Sequence, residues 1–374
     1  MKDRFRTFNS GRANFFLVAI ITCIIAGAAL KMTAPVVLPL TISLLLAFVL
    51  NPTVKFMEKL HIPRFIAIFL TVLFIIIGLC IIGVVLFTSG RTILTFYPKY
   101  ENRLTEIYIA LADFFEFSYD EHLSFFENLW AQLGIRNRIR LITLSLSNDF
   151  IIFLKDAVMV VLFVVFLLFE SVYFMTKLDV AFDGKHSGQI KKISTDVIRQ
   201  VSRYLTAKFF ISFATGIVVG IGLGCVGLEF AAVWGVIQFI LNFIPNIGSI
   251  AAGVGASVFA LIQFWPEPVP IVITAIIILG ANMIIGNVLE PKIMGDNLGL
   301  SPLVVLMSLM LWGWLWGFAG MVLAVPMTVI AKIICENIAF LEPLSVLLGS
   351  RREIMIKKEE DAKEELLDMN LHDE

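Results

Sequence analysis

Long apolar runs, separated by short basic or polar segments, dominate the chain. Stretches 13–30, 34–50, 64–88, 150–176, 205–228 and 269–289 carry few or no charges. Each comes close to the ~20 residues a helix needs to cross a ~30 Å hydrocarbon core. The pattern predicts an all-α, polytopic membrane protein. A transmembrane β-barrel would show short alternating segments instead, and none are visible. Residues 231–264 and 302–341 are also apolar, but as continuous helices they would reach ~50 and ~60 Å, well past the core.

Both of these longer runs contain their own breaks. In "ILNFIPNIGS", Asn242, Pro245, Asn246 and Gly248 interrupt the first. Pro245 removes a backbone donor and frees the carbonyl of Leu241, while Gly248 lets the chain turn. Two short helices meeting at 240–249, as a broken or re-entrant hairpin, are therefore expected. Freed backbone groups at membrane depth are tolerated only against protein or a water-filled cavity, which places this break inside, beside a polar space. The second run carries Gly313, Gly317, Gly320 and Pro326. Ser301-Pro302 is a helix start, and a hairpin bending near Trp316–Gly320 is predicted. About eight crossings result, with both termini on one side; a single crossing by 231–264 would flip the C-terminus. The Trp-Gly pairs at 234–235 and 316–317, each upstream of an Ile-Pro or Val-Pro pair, are read as coincidence rather than repeat.

Composition agrees with lipid as the solvent: 59% of residues are hydrophobic and 16% charged, against about 25% charged in a soluble domain. Basic residues orient the chain. Lys2, Arg4, Arg6 and Arg12 place the N-terminus in the cytoplasm, and Lys55, Lys59 and Arg64 mark the next inner loop. The resulting organisation is 1–88, three membrane helices; 89–149, an external insertion; 150–176, a fourth membrane helix. It continues with 177–204, a basic cytoplasmic segment; 205–341, a C-terminal membrane core; and 342–374, a charged cytoplasmic tail. Leu104, Ile107, Tyr108, Leu111 and Phe115 repeat with helical period in the insertion, as an external cap. Ile190, Ile193, Val197, Val201 and Tyr204 do so in the basic segment, as an amphipathic helix lying along the inner face. The stretch Ala26-Gly27-Ala28 loosely resembles a signal-cleavage site, but the apolar run before it is too long.

A net charge of −1 implies no bulk attraction to nucleic acid. Cys23, Cys80, Cys225 and Cys335 lie in or at the ends of apolar runs and read as buried small hydrophobes, not as a disulfide framework or zinc site. Walker A, HExxH and GxSxG motifs are missing, so neither an ATP-driven pump nor an enzyme is expected, nor any cofactor or metal.

Polar groups near membrane depth gather late in the chain: Gln238, Asn242, Asn246, Asn282, Asn287 and Glu290. Singly, each asparagine suits an interhelical hydrogen bond. Together, most flank a broken helix, where amides and unwound carbonyls suit a neutral hydroxyl-bearing solute or a desolvated cation. The predicted path runs past Asn242, Pro245, Asn246, Gly248 and Ser249, with Asn287 and Glu290 near the inner mouth. Glu290 precedes Pro291, near a helix C-terminus where the dipole disfavours negative charge, and so needs a partner. Lys292 is one candidate; a transported cation or proton is the other. Gly216, Gly220 and Gly224 form a small-residue ridge for close packing within or between subunits, and Gly313, Gly317 and Gly320 are further packing positions.

The segments "FAAVWGVIQFILNFIPNIGSIAAGV" and "GNVLEPKIMGDNLGLSPLVVLMSLMLWGWLWGFAGMVLAVP" together resemble the signature of the autoinducer-2 exporter family. The likeness rests on Pro245–Gly248, and then on Asn287, Glu290-Pro291, Gly295, Gly299 to Pro302, Gly320 and Pro326. The N-terminal half fits through Asn51-Pro52, at the end of the second helix, and through the external insertion. The resemblance implies about eight transmembrane helices, homo-oligomeric assembly in the cytoplasmic (inner) membrane, and export of the signalling molecule autoinducer-2. Some members of the family are described as sodium/proton antiporters. The expectation is a secondary transporter exporting a small polar, autoinducer-2-like solute, with a coupling proton or sodium ion as a further partner. The alternatives are a cation/proton antiporter titrating at Glu290 and a membrane scaffold whose external and basic helices recruit partners.

Overall fold

The computed structural model describes residues 10–114, 135–182, 187–294, 299–338 and 340–350, almost all of them helical. The only strand-type pairing among them is one antiparallel bridge, Leu300 to Gly349. In chain order the helices are α1 (Ser10–Met32), α2 (Ala34–Lys59), α3 (Arg64–Phe114), α4 (Ile135–Glu170), α5 (Phe174–Ala181) and α6 (Ser187–Val226). There follow α7 (Ala231–Leu241), α8 (Ile247–Phe264), α9 (Pro268–Ala281), a π-helical run (Asn282–Leu289), α10 (Glu290–Met294), α11 (Pro302–Glu336) and α12 (Glu342–Leu348). Seven segments among the described residues are long and apolar enough to cross a membrane, in α2, α3, α4, α6, α8, α9 with its π continuation, and α11. This is a polytopic helical membrane protein. Helices α2, α9, α11 and α12 each start with proline in the first turn, where no N–H is needed. Ser301 caps α11 by accepting from the Val304 amide at 3.3 Å.

Packing divides the helices into two apolar bodies. Ala47 and Val54 of α2, Ala67, Ile68 and Val72 of α3, and Val164 and Leu168 of α4 form one core. Val219 and Leu223 of α6, Ala256 and Ala260 of α8, and Ile278 and Ala281 of α9 form another. Helix α11 joins them, its Val325, Val329 and Ile333 packing with Leu45 of α2 and Val201 and Leu205 of α6.

Both long runs are hairpins. Helices α7 and α8 turn at 242–246 and run back antiparallel: Gly248 lies against Leu241, and Gly255 against the Trp234 ring. Within α11, Trp316 (φ −127°, ψ 17°) and Gly317 (φ 62°, ψ −141°) leave helical geometry. Beyond that bend the chain folds back, so that Gly313 meets Met321 and Leu309 packs with Ala324. At 1.5 Å per residue the legs are ~17 and ~27 Å in the first hairpin and ~21 and ~29 Å in the second. The shorter leg of each falls well short of the ~30 Å core. The two Trp-Gly pairs occupy different places, one at a helix contact and one at a bend, so they mark no structural repeat.

Four details differ from expectation. Helix α2 continues through Pro52 to Lys59 instead of ending there. The segment around Leu104 and Ile107 is a direct continuation of α3, not a separate cap helix; Phe115 lies outside the described residues. The basic segment is the first half of α6 and not a helix of its own, because no Pro or Gly between Ile190 and Thr215 interrupts it. Finally, Cys80 and Cys225 are exposed free thiols and only Cys335 is buried; a small apolar group facing lipid gains nothing from burial. The Cys23 side chain, Gly295 and the tail from residue 351 lie outside the described residues.

The glycine ridge packs inside the chain. A Cβ on Gly216 would stand 2.7 Å from the Gly235 carbonyl oxygen, and one on Gly235 equally close to that of Gly216. Gly220 is also in contact with Gly235, and Gly224 with Ala231. Gly216→Ala is therefore expected to cost about 1–3 kcal/mol by overpacking. Gly78→Ala, where nothing lies within 4 Å of the new Cβ, should be neutral or gain up to ~1 kcal/mol from helix propensity. Thermal unfolding in detergent ranks the two, and the reverse order would refute this packing.

Candidate functional site

The tip of the α7–α8 hairpin brings polar side chains from three elements together. Its turn is held locally: the Ile244 amide donates to Leu241 O at 2.8 Å, and the Gly248 amide to Ile244 O at 3.2 Å. The carbonyl that Pro245 frees is thus satisfied within the turn. Asn246 adopts φ 59°, ψ −53°, close to a γ-turn, and the Ile247 amide closes it by donating to Pro245 O at 2.6 Å. At Gly248 no side chain fits, since a Cβ would lie 1.7 Å from the Leu241 oxygen. Ile244 is buried against Leu309 and Ala324 of α11, so the first hairpin's tip is wedged on the second hairpin.

Behind the tip, α6 presents Lys208, Ser212 and Thr215 at i, i+4 and i+7, all buried on one face. Helix α7 answers with Gln238 and Asn242, one turn apart. Asn242 Nδ2 donates to Ser212 Oγ at 3.0 Å, and Gln238 Nε2 donates to Asn282 Oδ1 at 2.9 Å. At the far end of the π run, Glu290 accepts from Lys208 Nζ at 2.5 Å. The lysine side chain is 3% exposed and the glutamate 24%. Asn282 and Glu290 thus bracket the π-helix, a form found mostly as short insertions at functional sites. The Glu290 amide bonds to Ile285 O, five residues back.

Of the path residues predicted from sequence, Asn242, Gly248 and Glu290 are brought into this interior. Pro245 and Ser249 are partly buried at the turn, whereas Asn246 and Asn287 lie on the outside of the chain. The Glu290 partner is Lys208, eighty-two positions away in sequence, and not the neighbouring Lys292, which is exposed. Lys208 and Ser212 escape a reading by segment because the lysine merges with the basic stretch before it. Its spacing to Ser212 and Thr215, inside an apolar helix, is the signal that picks it out.

A helical membrane protein that holds a charge pair and paired amides beside a broken helix belongs, by architecture, among the membrane transporters. Residues 15–340 match the AI-2E family transporter model, and the chain belongs to that family. It is 32% identical over 334 residues to a putative transport protein of Borreliella burgdorferi, covering 89% of this chain and 90% of the relative. The AI-2 transport protein TqsA of Escherichia coli is 30% identical over 340 residues, 89% and 94% of the two chains. A sodium-lithium/proton antiporter of Halobacillus andaensis is 29% identical over 317 residues, 79% and 88%.

Removing one member of a buried ion pair costs about 3–5 kcal/mol, because the other charge is left uncompensated, whereas replacing both is far milder. Glu290→Gln is expected to destabilise the protein on that scale, and Lys208→Met with Glu290→Gln to recover most of the loss. A double-mutant cycle by denaturant unfolding measures the coupling; additive losses would mean that the two side chains do not depend on each other.

Proposed function

We propose that this transporter exports a small polar solute, autoinducer-2-like in chemistry, by secondary transport, along a path at the α7–α8 tip. The observation that carries the reading is the set of amide and hydroxyl groups, buried Gln238, Asn242 and Ser212 and half-buried Asn282, paired with one another beside a helix break. Such groups can exchange mutual hydrogen bonds for bonds to a hydroxyl-rich solute without exposing a bare charge. Ser249 at the turn and Glu290 toward the other end of the cluster extend the path. The name of the TqsA relative supports the substrate class. In this reading the basic segments keep both termini in the cytoplasm.

A second reading, alkali-cation/proton antiport, is favoured by the Lys208–Glu290 pair. A proton or cation arriving at Glu290 would displace the lysine ammonium, which supplies a coupling step at one carboxylate. The name of the Halobacillus andaensis relative points the same way.

Efflux of preloaded autoinducer-2 from cells lacking and expressing the protein tests the first reading; equal efflux rejects it. Asn242→Leu, which keeps the size but not the donor, should lower that efflux by roughly tenfold or more, since the buried Ser212 hydroxyl loses its amide partner. Sodium-driven pH change in vesicles that Glu290→Gln abolishes, with autoinducer-2 efflux no greater than in cells lacking the protein, would favour antiport instead.

A further inference from the structure

The two apolar bodies also meet at the end of the molecule remote from Lys208, through a contact of different chemistry. Twenty-one residues along α6 from Lys208, a helical distance of ~30 Å, the connection to α7 carries Glu229. Its carboxylate accepts from Lys99 Nζ at 2.5 Å and from the Tyr100 hydroxyl, both on the extension of α3. The Glu229 amide donates to Gln263 Oε1 at 2.7 Å, and Gln263 Nε2 donates back to Gly227 O at 2.9 Å, which fixes the loop to the end of α8. The Tyr100 ring lies 5.4 Å from Phe259 of α8, and Phe259 in turn meets Phe230 edge-on and Trp234 at a tilt. One carboxylate therefore ties α3 to the base of the first hairpin.

Charge and exposure suit this contact to being made and broken. Burial alone would raise the Glu229 carboxyl, but hydrogen bonds from Lys99 and Tyr100 hold it below the usual carboxylate range, so it is ionised at neutral pH. Burial, and then the Glu229 bond, push the Tyr100 phenol well above its ordinary value, so it stays a donor. The side chains of Lys99 and Glu229 are 46% and 29% exposed, and both lie beyond the spanning segments. Water can therefore take over the Lys99–Glu229 bond, and parting the pair strands no charge in lipid, while the Tyr100 ring stays buried beneath it. The apolar cores on either side interdigitate and have no such replacement partner.

From this we infer that the Lys99–Tyr100–Glu229 cluster is a releasable strap that pins the α7–α8 hairpin to α3, and that it opens during the transport cycle so that the hairpin can shift. The inference rests on the transport reading above and names the regulation of that same path. A merely structural strap could be made permanent without effect; a working one could not.

The test joins the two sides covalently. In a chain with Cys23, Cys80, Cys225 and Cys335 replaced by serine, Lys99→Cys and Glu229→Cys are bridged by a reducible bifunctional thiol reagent. The protein is then reconstituted in vesicles loaded with autoinducer-2. Bridging should cut efflux by roughly tenfold, with recovery on reduction. Equal efflux from bridged and reduced protein overturns the strap. Should the unmodified protein move no autoinducer-2, the transport reading has failed and a second measurement decides the strap alone. Amide hydrogen exchange over 231–264 should then be roughly fivefold or more faster in Glu229→Gln than in the parent, with the α2–α4 core unchanged. Unchanged exchange in the hairpin overturns the inference on its own.

Discussion

Hydrocarbon offers no hydrogen bond, so each interruption of a helix at membrane depth must satisfy its backbone from within the protein. The two hairpins of this chain meet that constraint in the same way. A glycine on the returning leg lies directly against a carbonyl of the outgoing one: Gly248 on Leu241, and Gly320 on Trp312, where an added Cβ would come within 1.7 and 1.9 Å. Any side chain there would push the legs apart and open the turn. The close approach lets the turn amides find carbonyls nearby, as in the Ile244 and Gly248 bonds at the first tip. What would be an unstable defect in a lone helix becomes a fixed element, and everything polar in the interior is built on it.

With the first tip fixed, its neighbours become predictable. The Gly216–Gly235 contact brings the backbones of α6 and α7 within touching distance, so short side chains one or two turns away can reach across. Ser212 meets Asn242 in this way. The lysine one turn further along is too long for that gap and instead spans to Glu290 on the π run. Close packing by glycine, amide pairing and the ion pair thus form a graded series along α6. The helix is narrowest at its contact with Gly235 and most strongly charged at Lys208. Loss of the first member would move the other two out of register.

Much of this was legible from residue order because it rests on local chemistry. Pro245 and Gly248 mark the first break, Trp316 and Gly317 the second, and the small-residue spacing marks the packing face of α6. The long-range partners were not legible. Nothing local links Lys208 to Glu290 or Lys99 to Glu229; the pairing depends on how the helices cross, which hydropathy does not encode. For the same reason Glu290 pairs with Lys208 and not with Lys292, two positions along the chain. Helices α3 and α6 run well past their apolar stretches because a helix leaving lipid needs no stop signal. An amphipathic continuation simply extends it into water, where backbone and side chains remain satisfied.

The distribution of polar contacts suggests which parts of the molecule can move against which. Within each core, packing is apolar and interdigitated, and sliding would open voids with nothing to fill them. Between the cores, the contacts at the Glu229 end are an ion pair open to water and a covered aromatic contact, while α11 supplies apolar packing to both sides. The first hairpin is therefore held strongly by α6, with which it shares the glycine contact and the amide pairs, and by its wedge on α11. It is held weakly by α3. A tilt of the hairpin base away from α3, about its fixed contacts with α6 and α11, exchanges the Glu229 bonds for water and parts Tyr100 from Phe259, and is less costly than sliding either core. It would leave the polar cluster intact, with Lys208 and Glu290 still paired, so the cost of a charge in lipid need not be met at any point of the displacement.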